Sequence, residues 1–195
     1  MISVLIATHD SERLLVPTLA ALVPGALAGW VREVIVADGG SRDATAAVAD
    51  IAGCHFIATS QPRGARLRAS ARAARAPWLL FLEPGTVPDA IWTEETSRFV
   101  QEAELGERAE AQAAVFRPAA AVGNRRPMLL EALALAAAAL GALPRPGQGL
   151  LISKRFYDCL GGHRADRGDP ERDLLRRIGR RRLVILRSGA VSLAD

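Results

Sequence analysis

The sequence is short of the residues that build disulfide frameworks, zinc clusters and nucleic-acid faces. Of 195 residues only Cys54 and Cys159 are cysteine, which excludes a disulfide scaffold or a zinc cluster and fits a reducing compartment. Aromatic residues make up 5% and the basic runs carry none between them, so no nucleic-acid partner is expected despite a formal net charge of +4. Lysine is nearly absent: among 25 basic residues Lys154 alone is a lysine. Heavy use of alanine and arginine fits the coding bias of a GC-rich bacterium. There is no Walker pattern and no G-x-G-x-x-G after the first strand, which argues against a P-loop enzyme and an ordinary dinucleotide dehydrogenase. The opening "MISVLIATHD" has no basic n-region, so no signal peptide is expected. The longest apolar run, Met128 to Pro144, falls short of the ~20 residues of a spanning helix. Core packing is its favoured reading, with a homodimer interface or peripheral contact with a bilayer as the alternatives.

What is present is a globular core. Half the residues are hydrophobic and mean hydropathy is +0.14, which suits a single domain over 1–195. Strand and helix patterns alternate. Ile2 to Ala7 reads as a strand buried on both faces, followed by polar "THDSE". Pro17 is placed in the first turn of a helix to about Leu22, closed by Pro24 and Gly25. Glu33 to Ala37 is the second strand, and Ser41 in "DGGSRDAT" is the expected N-cap of a helix to about Ala52. Cys54 to Ile57, a helix from about Gly64 to Arg75, and the strand Trp78 to Leu82 complete the first half. Short connections imply parallel strands with right-handed crossovers, so the expected fold is α/β with a mostly parallel central sheet flanked by helices. Ligands in such sheets bind beyond the C-terminal strand ends. Three of those ends carry acids: Asp10, Asp38 and Glu83.

Four segments resemble the family 2 glycosyltransferases of the GT-A fold, in particular their small soluble bacterial members. "VLIATHDSE" resembles the family's I-P-T-x-N-E opening. "EVIVADGGSRDAT" resembles its nucleotide-binding strand and D-G-S turn. "RGARLRASARAARAPWLLFLEPGT" resembles R-G-x-x-x-N-x-G-x-x-x-A-x-G, an apolar strand and D-A-D-T. "GQGLLISKRFYDCLGGHRADRGDPERDLLRRIGR" resembles the G-D-Q-G strand, the F-x-x-x-G-G helix and the E-D-x-x-L-x-x-R segment. The likeness reaches from the first residues to about Leu186.

The resemblance implies a Rossmann-like nucleotide-diphospho-sugar transferase, with about 1–86 binding the nucleotide and about 87–195 the acceptor. It places Thr8, Asp10 and Glu12 beside the donor's base and ribose, and Asp38 on the nucleobase. Arg63 falls near the donor diphosphate. Arg68 stands where the family has asparagine, also near the diphosphate, and Arg66 is a further candidate there. Glu83 takes the place of the first acid of the metal-holding D-x-D, but Gly85 takes that of the second. A lone carboxylate is a poor site for magnesium or manganese, which favour several oxygens. Glu83 is therefore at most a weak metal ligand, and charge compensation by arginine is the alternative. Glu171 matches the catalytic base with one methylene more, with Asp169 and Asp173 as its substitutes. Acids in the first turn of a helix are equally well explained as helix-stabilising. Gln148 and Gly162 match the acceptor side, Gly147 replaces an aspartate, and His163 is read as structural or exposed.

The function so implied is transfer of a sugar from a nucleotide-diphospho-sugar to an acceptor hydroxyl, inverting and metal-independent. The alternative is a catalytically inactive nucleotide-sugar binding or regulatory module. The expected location is the cytoplasm, including the inner face of the membrane.

Overall fold

The computed structural model describes residues 1–119 and 146–193. The apolar run Met128–Pro144, within residues 120–145 of the expected acceptor half, lies outside them. The described elements run β1 (Ile2–Thr8), α1 (Glu12–Leu27), β2 (Val31–Asp38), α2 (Thr45–Ile51), β3 (His55–Ala58), α3 (Arg63–Ala73), β4 (Trp78–Leu82), β5 (Thr86–Pro88), α4 (Trp92–Leu105) and β6 (Ala113–Ala119). After a 3-10 turn at Pro146–Gln148 come β7 (Leu150–Ser153), α5 (Lys154–Cys159), α6 (Pro170–Ile178), a second 3-10 turn at Arg180–Arg182, and β8 (Leu183–Ser192).

Eight strands form one sheet in the order β3-β2-β1-β4-β7-β6-β8-β5. The side-chain period of two sorts β1 between two core layers. Val4 and Ile6 join Leu15 and Leu22 of α1 and Trp92 and Phe99 of α4. Leu5 and Ala7 join Leu67 and Ala71 of α3, Phe156 of α5, and Leu174 and Leu175 of α6. All seven residues of β1 are buried, as expected of a strand covered on both faces. Each such aliphatic side chain contributes about 1.5–3 kcal/mol by leaving water.

The sheet is mixed, with four parallel and three antiparallel strand pairings. β3, β2, β1 and β4 are mutually parallel. β7 then runs antiparallel to β4 and to β6, β5 antiparallel to β8, and β6 parallel to β8. The strand–helix alternation that enforces parallel crossovers stops after β4, where β5 follows almost at once.

Three local expectations are corrected. Helix α1 begins at Glu12 and carries Pro17 and Pro24 inside it. A proline inside a helix costs about 3 kcal/mol, so packing of Leu15, Thr18, Leu22 and Gly25 against the sheet and α4 overrides the local signal. Gly25 is a contact position, not a helix stop: a Cβ there would sit 2.6 Å from the Trp92 indole. Ser41 does not cap α2, which begins at Thr45. Asp43 accepts from the Thr45 N–H at 3.0 Å instead.

Candidate functional site

The C-terminal ends of β1 and β2 are sewn together by their turns. Asp38, 2% exposed at the end of β2, accepts from Thr8 Oγ1 at 2.8 Å, Ser41 Oγ at 2.5 Å, Gly40 N–H at 2.8 Å and Ser41 N–H at 2.7 Å. Burial alone would raise its carboxyl, but these four bonds outweigh it and hold the group below the usual range. They fill the acceptor sites of a carboxylate. Asp10 sits at a φ of 47°, which aspartate tolerates better than most side chains. Its N–H donates to Ser41 Oγ and its Oδ1 accepts from the Arg42 N–H at 2.7 Å. The Glu12 N–H donates to Asp43 Oδ2, and Glu12 Oε2 accepts from the Ala44 N–H at 3.3 Å. The predicted Thr8, Asp10, Glu12 and Asp38 thus form one rim, with each carboxylate engaged by the neighbouring turn.

Beneath that rim lies Arg66. Its guanidinium, 8% exposed, donates through Nη1 to the carbonyls of Thr8 at 2.6 Å and Ala37 at 2.7 Å. A Cβ on Gly39 would come within 2.9 Å of it, so the second position of "DGGS" is kept bare for an arginine. Burial and neighbouring Arg63 both lower the Arg66 guanidinium, while Asp38 and Glu171 act in the opposite sense. Those last two carboxylates therefore feel the same cation.

Arg63, one helical turn before Arg66 on α3, joins the other two predicted acids. Its Nε donates to Glu171 Oε1 at 2.5 Å and its Nη2 to Glu83 Oε1 at 3.1 Å. Glu83 leaves the end of β4 and Glu171 the first turn of α6, so the guanidinium ties the parallel half of the sheet to the late helix. Burial pushes the Glu83 carboxyl up; Glu171 and Asp169 add to that rise and Arg63 opposes it. Glu83, Glu171, His163, Leu67, Phe81 and Leu175 line a small cavity of about 20 Å³.

The residues do not fit a divalent metal. Among those described, no group of three or more His, Cys, Asp or Glu could hold one. Glu83 already faces a guanidinium. Gly85, in the place of the second acid, has a φ of 87°, a conformation side chains rarely adopt. Its N–H donates to Leu14 O and to Thr18 Oγ1, both at 2.9 Å, which fixes the turn after Pro84. A side chain on Gly147 would begin 3.3 Å from Glu83 Oε2. No acid stands at position 85 or 147 beside Glu83, and the Arg63 guanidinium stands against it.

The remaining predicted residues divide. Asp169 caps α6, accepting from the Arg172 N–H at 2.8 Å, and is close enough to influence Glu83. Arg68 lies exposed on α3, apart from the Arg63 contacts and close enough to Tyr157 to influence its hydroxyl. Gln148 donates to the Phe116 carbonyl at 2.8 Å. Gly162 has a φ of 65°, and a Cβ there would meet the Tyr157 ring at 2.8 Å. That bend lets His163 bury completely, the residue whose importance the sequence conceals.

No protein-family model matches the chain, and neither does any curated protein. Solved structures do. Over its whole length the chain superposes on S. aureus TarS in complex with UDP-GlcNAc, with a TM-score of 0.72 and 13% identity, spanning 59% of that chain. It also matches glucosyl-3-phosphoglycerate synthase from Mycobacterium tuberculosis in complex with Mn2+, UDP-glucose and phosphoglyceric acid. There the TM-score is 0.66 and identity 22%, over 95% of this chain and 68% of that one. The same synthase with phosphoglyceric acid alone gives 0.67 at 20% identity. The chain thus spans about three fifths of the TarS chain. Its mixed sheet with flanking helices is the fold of the GT-A glycosyltransferases.

Proposed function

We propose that the chain is a glycosyltransferase that moves a sugar from a nucleotide-diphospho-sugar to an acceptor hydroxyl, with inversion and without a metal. The observation that carries this is Arg63, which bridges Glu83 and Glu171 at the strand ends of a GT-A fold. The turns built by Thr8, Asp10, Glu12 and Asp38 border the base and ribose. The second half of the chain, residues 87–195, supplies the acceptor side.

In the reaction the acceptor oxygen attacks the anomeric carbon while its proton passes to Glu171. The bond from that carbon to the diphosphate oxygen breaks, and its electron pair leaves with the nucleoside diphosphate. Attack on the face opposite the leaving group inverts the centre. Negative charge grows on the diphosphate, and a fixed cation there lowers the barrier. A guanidinium has five N–H donors; Arg63 commits Nε and one Nη2 bond to the two glutamates. Its remaining N–H groups are available to phosphate oxygens in bidentate fashion. The two carboxylates hold the guanidinium in place, so little reorganisation is needed when the donor arrives.

The test is turnover of a nucleotide sugar by the purified protein, the donor being chosen by thermal shift. Glu171→Gln is expected to lower the rate by about 10²–10⁴-fold while donor affinity stays within a few-fold. Donor binding with no turnover by either protein would replace this reading with that of a binding module.

A further inference from the structure

His163 is 0% exposed and outside the machinery described so far. Its surroundings determine which nitrogen carries the proton. Tyr157 Oη lies 3.0 Å from His163 Nδ1 and accepts from the His163 N–H at 2.9 Å. The hydroxyl hydrogen of Tyr157 has no other acceptor among the described residues, so the arrangement that satisfies it has the hydroxyl donating to Nδ1. The neutral ring then carries its hydrogen on Nε2. Burial pushes the imidazole down to about 3, with Arg177 and Arg63 acting in the same direction and Asp173 against it, so the ring is uncharged at neutral pH. Phe81 packs against its face edge-on, with centroids 4.8 Å apart.

Nε2 is buried and has no hydrogen-bond partner among the described residues. A buried N–H without an acceptor costs about as much as a lost hydrogen bond and calls for an explanation. The ring lines the cavity of about 20 Å³ that Glu83 and Glu171 also line. That volume accommodates one water-sized group. The group must accept from Nε2–H and stand beside two carboxylates. An anionic oxygen would be repelled by those carboxylates, and an apolar group would leave the N–H unpaired. A hydroxyl satisfies both sides, accepting from His163 and donating to a carboxylate. Glu83 and Glu171 are also the two partners of Arg63, so a sugar joined to the diphosphate at Arg63 lies within reach.

We propose that His163 is a specificity residue of the donor site, whose Nε2–H receives one hydroxyl of the transferred sugar in the cavity beside Glu83 and Glu171. This rests on the glycosyltransferase reading. The sugar, and not the nucleotide, is what His163 recognises.

The experiment compares affinities for a nucleotide sugar and for the matching nucleoside diphosphate. The probe is whichever hexose carried on UDP, GDP or dTDP stabilises the wild type most. His163→Phe keeps a flat ring against Phe81 and removes the donor. It is expected to weaken nucleotide-sugar binding about 5- to 10-fold and leave nucleoside diphosphate binding unchanged. His163→Gln, which restores an N–H, should recover part of the loss. Equal weakening of both ligands, or of neither, would assign the cavity to a buried water or to packing and overturn the proposal. Should His163→Phe not fold, the wild-type protein with ¹⁵N-labelled histidine gives the same decision. The Nε2 signal of the buried histidine should shift with nucleotide sugar and stay put with nucleoside diphosphate, and an identical response to both would overturn it. A wild-type protein that binds no nucleotide sugar would remove the glycosyltransferase reading and this proposal together; binding without discrimination at position 163 would remove only the latter.

Discussion

Asp38 and Glu83 both stand at the ends of parallel strands on the same rim, yet their surroundings push them in opposite directions. Asp38 accepts four hydrogen bonds from its own turn and from Thr8, and its carboxyl lies below the usual range. Glu83 is half-buried beside two further acids, and its carboxyl lies above that range, with Arg63 opposing the rise. One acid is saturated and holds the backbone still. The other is held in an environment that favours its neutral form and depends on a cation from another helix. Position at a strand end marks both as candidates; their hydrogen-bond partners set them apart.

Substitutions can break that contrast. The largest effect on stability is expected at the saturated acid. Asp38→Asn puts an amide NH₂ among N–H and O–H donors and should lower unfolding stability by about 2–3 kcal/mol, read by urea denaturation. Donor affinity falling far more than stability would instead show that Asp38 touches the base. A smaller effect is expected where the second acid is missing. Gly85→Asp forces a side chain onto a φ of 87° and should cost about 1–2 kcal/mol, without conferring manganese-dependent donor binding. Metal-dependent donor binding by this variant would show that one carboxylate at position 85 is enough to make a metal site beside Glu83.

The smallest effect concerns Glu83. A carboxyl raised above its unfolded value stabilises the fold only below that unfolded value, near 4.3 for an ordinary glutamate, and loses the contribution as pH climbs through the folded one. Glu83→Gln, fixed in a neutral form, should therefore match the wild type near pH 4 and show a slightly higher Tm at pH 7. A lower Tm at pH 7 would mean that the ion pair with Arg63 outweighs burial.

Much of the scaffold was legible because its signals are local. The strand Trp78–Leu82 coincides with β4, since an unbroken apolar run bounded by proline on both sides has few other readings. The mixed half of the sheet was not legible: β6, β7 and β8 pair across long stretches of sequence with no regular alternation to announce them. Helix α1 began five residues before the proline assigned to its first turn, because tertiary packing overrode the proline signal. At the site, the family resemblance brought Arg63, Glu83 and Glu171 under suspicion one by one, but nothing in the sequence shows that one guanidinium joins the two glutamates, one of them 108 residues away. Arg66 had a signal that is clear only in retrospect, the bare Gly39 beside it. His163 had none, because its orphaned nitrogen depends on a bend at Gly162 and on the hydroxyl of Tyr157.

The central claim is that the Arg63 guanidinium, held between Glu83 and Glu171, does the work of a cation at the donor diphosphate. Titrating the nucleotide sugar with and without EDTA, on wild type and on Arg63→Ala, tests it most directly. Wild-type affinity is predicted to stay within about twofold on chelation, while Arg63→Ala weakens it about 10- to 100-fold, the worth of charge-assisted bonds to phosphate. A tenfold or greater loss of wild-type affinity in EDTA, with Arg63→Ala binding as well as wild type, would contradict it.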